Sequence, residues 1–181
     1  MCQQINSIML KKFLFLIILA SASACSAVSG DRPAPRPPTS NPVFTAYEYI
    51  DLQERQDRAA LKELIGIDPV RYEWCAAFVN AILAKHNLAT SDTVSDNPLM
   101  ARSFLKLGEE VDVPRRGDVV VFPRGTAGWQ GHVGFYVTTR IVGKTTYYVI
   151  LGGNQDNSVS VELYPASRAL SIRRIPKMAA T

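Results

Sequence analysis

The stretch EWCAAFVNAIL, residues 73–83, decides how the rest of the chain is read. Ala76, Ala77, Phe78, Val79, Ile82 and Leu83 make it apolar nearly all round, the pattern of a helix buried at the centre of a domain. The helix is expected to begin near Glu73 and to fade at His86 and Asn87, which puts Cys75 in its first turn. A free cysteine is often only a small buried hydrophobe. At a helix N-terminus, however, the partial positive charge and free N–H groups stabilise a thiolate, the nucleophilic form of the side chain.

Working outward, residues 46–65 have helical composition, with Ile50, Leu61, Leu64 and Ile65 as anchors and Gly66 and Pro69 as stops. Residues 98–107, PLMARSFLKL, predict a shorter third helix ended by Gly108. The texture then changes to β. The runs at 118–123, 132–138, 146–152, 159–164 and 169–175 are rich in valine, tyrosine and isoleucine and are separated by glycine, asparagine and proline. Helices first and an antiparallel meander after them predict an α+β domain over residues 43–181.

The first 42 residues differ in kind. Lys11 and Lys12 precede the apolar run Phe13 to Ala20 and the small-residue stretch SASAC, so residues 1–24 read as a secretory signal peptide. ASA offers an ordinary cleavage site, while ASAC resembles a lipobox that would make Cys25 the lipidated first residue; Met9 is an alternative start. Residues 25–42, with Pro33, Pro35, Pro37, Pro38 and Pro42, read as a semi-rigid spacer. An exported, periplasmic or membrane-anchored protein is expected.

Three cysteines are present, and with Cys2 in the leader and Cys25 at the cleavage point the folded part keeps Cys75 alone. That excludes a disulfide framework and a dithiol oxidoreductase. The net charge is +4, and loss of Lys11 and Lys12 with the leader leaves 18 basic against 16 acidic side chains. Nucleic acid is not an expected partner. Two histidines and no ligand pair at zinc or EF-hand spacing argue against a metal site, and no cofactor is expected.

A thiol nucleophile needs a base. His86 lies eleven residues along the same helix from Cys75, roughly 16 Å along its axis, too far to reach. His132 remains, flanked by Gly131 and Gly134 at the start of a strand. If 132–138 and 146–152 pair around a turn near Gly143, with Thr138 facing Thr146, then His132 faces Gly152 and Asn154 lies diagonal to it on the same face. Asn154 would then hold the imidazole tautomer. Trp74, Trp129 and Tyr136 cluster around this site in sequence and are expected to line a groove for a sugar-peptide substrate.

The stretches EWCAAFVNAIL, ARSFLKLG, GDVVVFPRG, GWQGHVGFYV and LGGNQ, in this order between about Leu61 and Ile175, resemble the CHAP family of cysteine- and histidine-dependent amidohydrolases and peptidases. The resemblance implies a papain-like fold with the cysteine opening a helix, the histidine opening a strand and a polar residue on the next strand orienting the histidine. Cys75, His132 and Asn154 match those places. Gly152 departs from the pattern, since many relatives carry an acidic residue there. The implied function is hydrolysis of a peptidoglycan amide by a monomeric enzyme. The rival is a non-catalytic wall-binding or lysis-accessory lipoprotein.

Overall fold

The computed structural model describes residues 41–178. The expected signal peptide, Cys25 and all but the end of the spacer lie outside them. Asn41 closes that spacer as a helix cap, its side chain accepting the Val43 N–H at 3.0 Å, and Pro42 is the first residue of helix α1 (Pro42–Tyr47). Its fixed φ suits that position, where a missing N–H costs nothing.

The single helix expected over 46–65 is two helices, α1 and α2 (Arg58–Ile65), separated by turns. Between them the backbone pairs outward instead: Asp51 donates to the Val159 carbonyl at 3.0 Å, and Val159 donates to Leu52 at 2.9 Å. Gly66, at φ 75°, caps α2 in the left-handed conformation that favours glycine. The third predicted helix is a 3-10 segment, Ala101–Lys106. The Ser103 hydroxyl within it binds the Asn97 carbonyl at 2.6 Å, the kind of side-chain bond that competes with a regular helical ladder.

Helix α3 (Cys75–Lys85) packs on a six-stranded antiparallel sheet. The strands are β1 (Glu109–Glu110), β2 (Val119–Pro123), β3 (Gly131–Val142), β4 (Thr145–Gln155), β5 (Ser158–Pro165) and β6 (Ser171–Arg174). Their order is β1-β6-β2-β3-β4-β5, so the meander holds from β2 to β5 while β6 crosses back to pair with β2. The α+β architecture with helices before the sheet agrees with the papain-like expectation.

Alternation along the strands divides the core. Val119, Val121, Val133, Phe135, Val149 and Leu151 join Phe78, Ile82 and Leu83 of α3 on one side of the sheet. Val120, Phe122, Tyr136, Ile150 and Ile172 form a second cluster, with Tyr148 and Tyr164 packed against it. Both faces of β2 are therefore covered, and its sequence is a continuous apolar run.

Two irregularities interrupt the pairing of β4. Val142 pairs with Thr145 around a two-residue turn at Gly143 and Lys144, a tighter hairpin than expected, and the β3–β4 register shifts by one residue between Tyr136 and Thr138. On the other side of β4, Gly152 pairs with Ser160 but Gln155 pairs with Ser158. Gly153 and Asn154 thus stand opposite the single residue Val159, a β-bulge, with Asn154 at φ 56°.

Candidate active site

Cys75 is the first residue of α3. Trp74 at the N-cap makes no side-chain capping bond, so the free N–H groups of the first turn are not consumed by a cap. Cys75 is 3% exposed as a residue, and the backbone N–H groups of Ala76 and of Val133, the residue after His132, hydrogen-bond toward its sulfur. Burial pushes the thiol up from its ordinary value; Arg124 and the two N–H groups pull it down, and Glu73 opposes them. The resting group is the neutral thiol.

His132 is the second residue of β3 and is buried. Its ring stacks on Tyr164 of β5, with centroids 5.3 Å apart and planes 15° from parallel, and Tyr164 stacks in turn on Phe122 at 4.6 Å. Nε2 meets Gln155 Oε1 at 3.0 Å. The orientation of that amide is set at its other end, where Gln155 Nε2 donates to the Ser160 carbonyl at 2.7 Å, a group that can only accept. Oε1 therefore faces the ring, Nε2 of the imidazole carries the proton, and the lone pair is on Nδ1. Nδ1 is buried and has no hydrogen-bond partner among the described residues.

This corrects the expected role of Asn154. Regular alternation would place Asn154 on the His132 side, but the bulge inserts one residue and the positive φ turns the chain, so Gln155 takes that side instead. The Asn154 side-chain amide donates to Glu73 Oε2 at 2.7 Å, and the Asn154 backbone carbonyl accepts from Arg124 Nη2 at 2.9 Å. The bulge itself carried a signal in the sequence: asparagine tolerates the left-handed conformation better than most residues.

Burial lowers the His132 imidazole to about 4, Arg124 adds to the effect and the Gln155 bond opposes it. An imidazole in the unfolded chain takes its proton near 6.5, so between that pH and about 4 the unfolded state binds more protons than the native state. Stability is expected to be full above pH 6.5 and to fall as the pH drops toward 4. Burial lowers His86 as well, with the same sign. Melts across this range check it; a melting temperature flat from pH 7 to 4.5 would contradict a buried, neutral His132.

A cleft of about 590 Å³ opens over the thiol, with Leu99, Met100 and Trp129 contributing apolar surface and Glu73, Arg124 and Asp156 charge. Of the three aromatics expected to line it, Trp129 does, at 65% exposure. It sits on a loop organised by Gln130 Oε1, which accepts the N–H groups of Thr126 and Ala127 at 3.1 and 3.0 Å. Trp74 does not line the cleft: it is fully buried, edge-on to Phe78. Tyr136 does not either, because it points to the second core and bonds Thr139 Oγ1 at 2.7 Å. Among the described residues no group of three or more His, Cys, Asp or Glu is placed to hold a metal ion.

Residues 67–154 match the family model of the CHAP domain. Over that stretch the chain is similar to a CHAP domain. CHAP domains are hydrolases, cysteine- and histidine-dependent amidases or peptidases that act generally on cell walls. The match is narrower than the resemblance read from the sequence; it takes in α3, Cys75 and His132 and ends one residue before Gln155. No curated protein matches the chain.

Proposed function

We propose that this CHAP-like domain is an exported hydrolase that cleaves an amide of the peptidoglycan peptide, either the link between muramic acid and L-alanine or a bond within the stem or cross-link. One observation carries the reading: the Gln155–Ser160 relay fixes the His132 tautomer, leaving the Nδ1 lone pair free, while the N–H of the residue next to His132 is directed to the Cys75 sulfur.

In the mechanism, Nδ1 of His132 takes the thiol proton as Sγ of Cys75 attacks the amide carbonyl carbon. Because the resting pair is neutral, proton transfer accompanies attack. The Cys75 N–H at the head of α3 donates to the tetrahedral oxyanion. The Nδ1 proton then passes to the leaving nitrogen as the C–N bond breaks, giving a thioester and a free amine. Water, deprotonated by Nδ1, attacks the thioester, and the returning proton restores the thiol with release of the carboxylate. Trp129 offers a face on which a sugar ring of the substrate would stack. The leader and ASAC site support export, with Cys25 as the lipid attachment that would tether the domain to a membrane.

The test is digestion of purified peptidoglycan by the wild type and by Cys75→Ala, with released fragments read by mass spectrometry. New amine termini that vanish in the variant are expected, and their masses name the bond. No release by folded, reduced wild type would reject this substrate.

A further inference from the structure

Forming a thiolate puts a negative charge into a site where burial disfavours the imidazolium. Among the described residues lining the cleft, Arg124 is the one side chain that is cationic at neutral pH. It follows directly on β2 and is held in place at two points: Nη2 donates to the Asn154 carbonyl at 2.9 Å, and Nη1 lies 3.4 Å from Glu73 Oε2. The Asn154 amide bonds the same Glu73 oxygen at 2.7 Å. Glu73, Arg124 and Asn154 thus close a triangle at the cleft, with Glu73 two residues ahead of Cys75 in the chain.

We infer that Arg124 supplies the counter-charge for the Cys75 thiolate, and that Glu73, bound to the same guanidinium, limits how much of that charge the thiol feels. The inference deepens the proposed thiol mechanism and rests on it. It gives the nucleophile a permanent cation beside the imidazole that takes its proton, and it gives Asn154 a positioning role, its backbone carbonyl holding the guanidinium and its side-chain amide the carboxylate.

The groups facing the thiol are consistent with this division. Arg124 comes from the end of β2, Glu73 from the segment before α3, His132 from β3, Tyr164 from β5, and Asp156 borders the cleft from the turn after β4. His132 and Tyr164 are neutral at physiological pH, the first lowered to about 4 and the second pushed up to about 12, in each case chiefly by burial. The charges that act on the thiol are therefore those of Arg124, which favours the thiolate, and of Glu73, which disfavours it.

The experiment measures thiol acidity directly. The full chain is alkylated with iodoacetamide across pH 5 to 10, and the rate at Cys75 is followed by mass spectrometry on the tryptic peptide 72–85, which separates it from Cys2 and Cys25. Arg124→Gln is expected to move the titration to higher pH by about one unit, slowing alkylation at pH 7 by about tenfold. Arg124→Lys should lie between that variant and the wild type. Glu73→Gln should move it the other way, speeding alkylation by about threefold, a smaller effect because its carboxylate is more exposed.

The opposite signs are decisive. Both substitutions break the same triangle, so a merely structural role would loosen the site and shift the thiol in one direction in both variants. That outcome, or an unmoved titration in Arg124→Gln, overturns the inference. No wall substrate enters the measurement. Opposite shifts in a protein that releases nothing from peptidoglycan would uphold the role of Arg124 while rejecting the proposed substrate.

Discussion

Gln155→Leu is expected to lower kcat by about 10²- to 10³-fold with little change in KM, because it removes the hydrogen-bond partner of the His132 ring. Without Oε1, neither tautomer is preferred by a hydrogen bond and the ring loses an anchor; the Tyr164 stack still restrains its plane but not the proton. Leucine also leaves the Ser160 carbonyl without its side-chain donor, so a modest fall in melting temperature accompanies the kinetic loss.

Gln155→Glu separates the two effects. A carboxylate still accepts from Nε2 but places a negative charge beside the imidazole, which raises it from about 4. The acid limb of the pH–rate profile should therefore move to higher pH, a change that a structural role alone would not produce. Release of amine groups from peptidoglycan, followed from pH 4 to 9, reads both variants. Wild-type kcat in Gln155→Leu would remove Gln155 from the mechanism.

Trp74→Ala is expected to cost about 3–5 kcal/mol, a large share of the roughly 5–15 kcal/mol that keeps a domain folded. The indole is fully buried, its ring 6.5 Å from Phe78, and its Nε1 bonds Glu54 at 3.3 Å. Gly153 fits against it only because it lacks a side chain: a Cβ there would stand 2.5 Å from the indole. The cavity left by alanine lies beneath α3 and the β4 bulge together, so the site loosens with the core.

Trp129→Ala gives the contrast. Most of that ring is in solvent on the cleft wall, and its removal should change stability by no more than about 0.5 kcal/mol while raising KM for glycan-linked substrate. Denaturant melts of the two variants beside their KM values check the assignment. A stable Trp74→Ala protein with a raised KM would return that residue to the groove.

Much of the fold was legible because its signals are local. The nearly all-round apolar surface of 73–83, Gly66 as a helix stop and the runs rich in valine, tyrosine and isoleucine from residue 118 onward each act within a few residues, and each produced its element. Where local preference was weak, neighbours decided. Residues 48–57 left the helix to bond with β5, and 101–106 wound as a 3-10 segment against the sheet.

The same division runs through the site. From sequence alone came the α+β order, the cysteine at the head of the buried helix and the histidine at the start of a strand, because helix termini and strand starts are written in short patterns. Tertiary structure decided what surrounds them. Trp74, Trp129 and Tyr136 are alike in composition, but packing sent one under the helix, one into the cleft and one to the far side of the sheet. A one-residue bulge, set by pairing with β5, exchanged Asn154 for Gln155 beside His132. Strand parity is counted from a register, and a register exists only once two strands have paired.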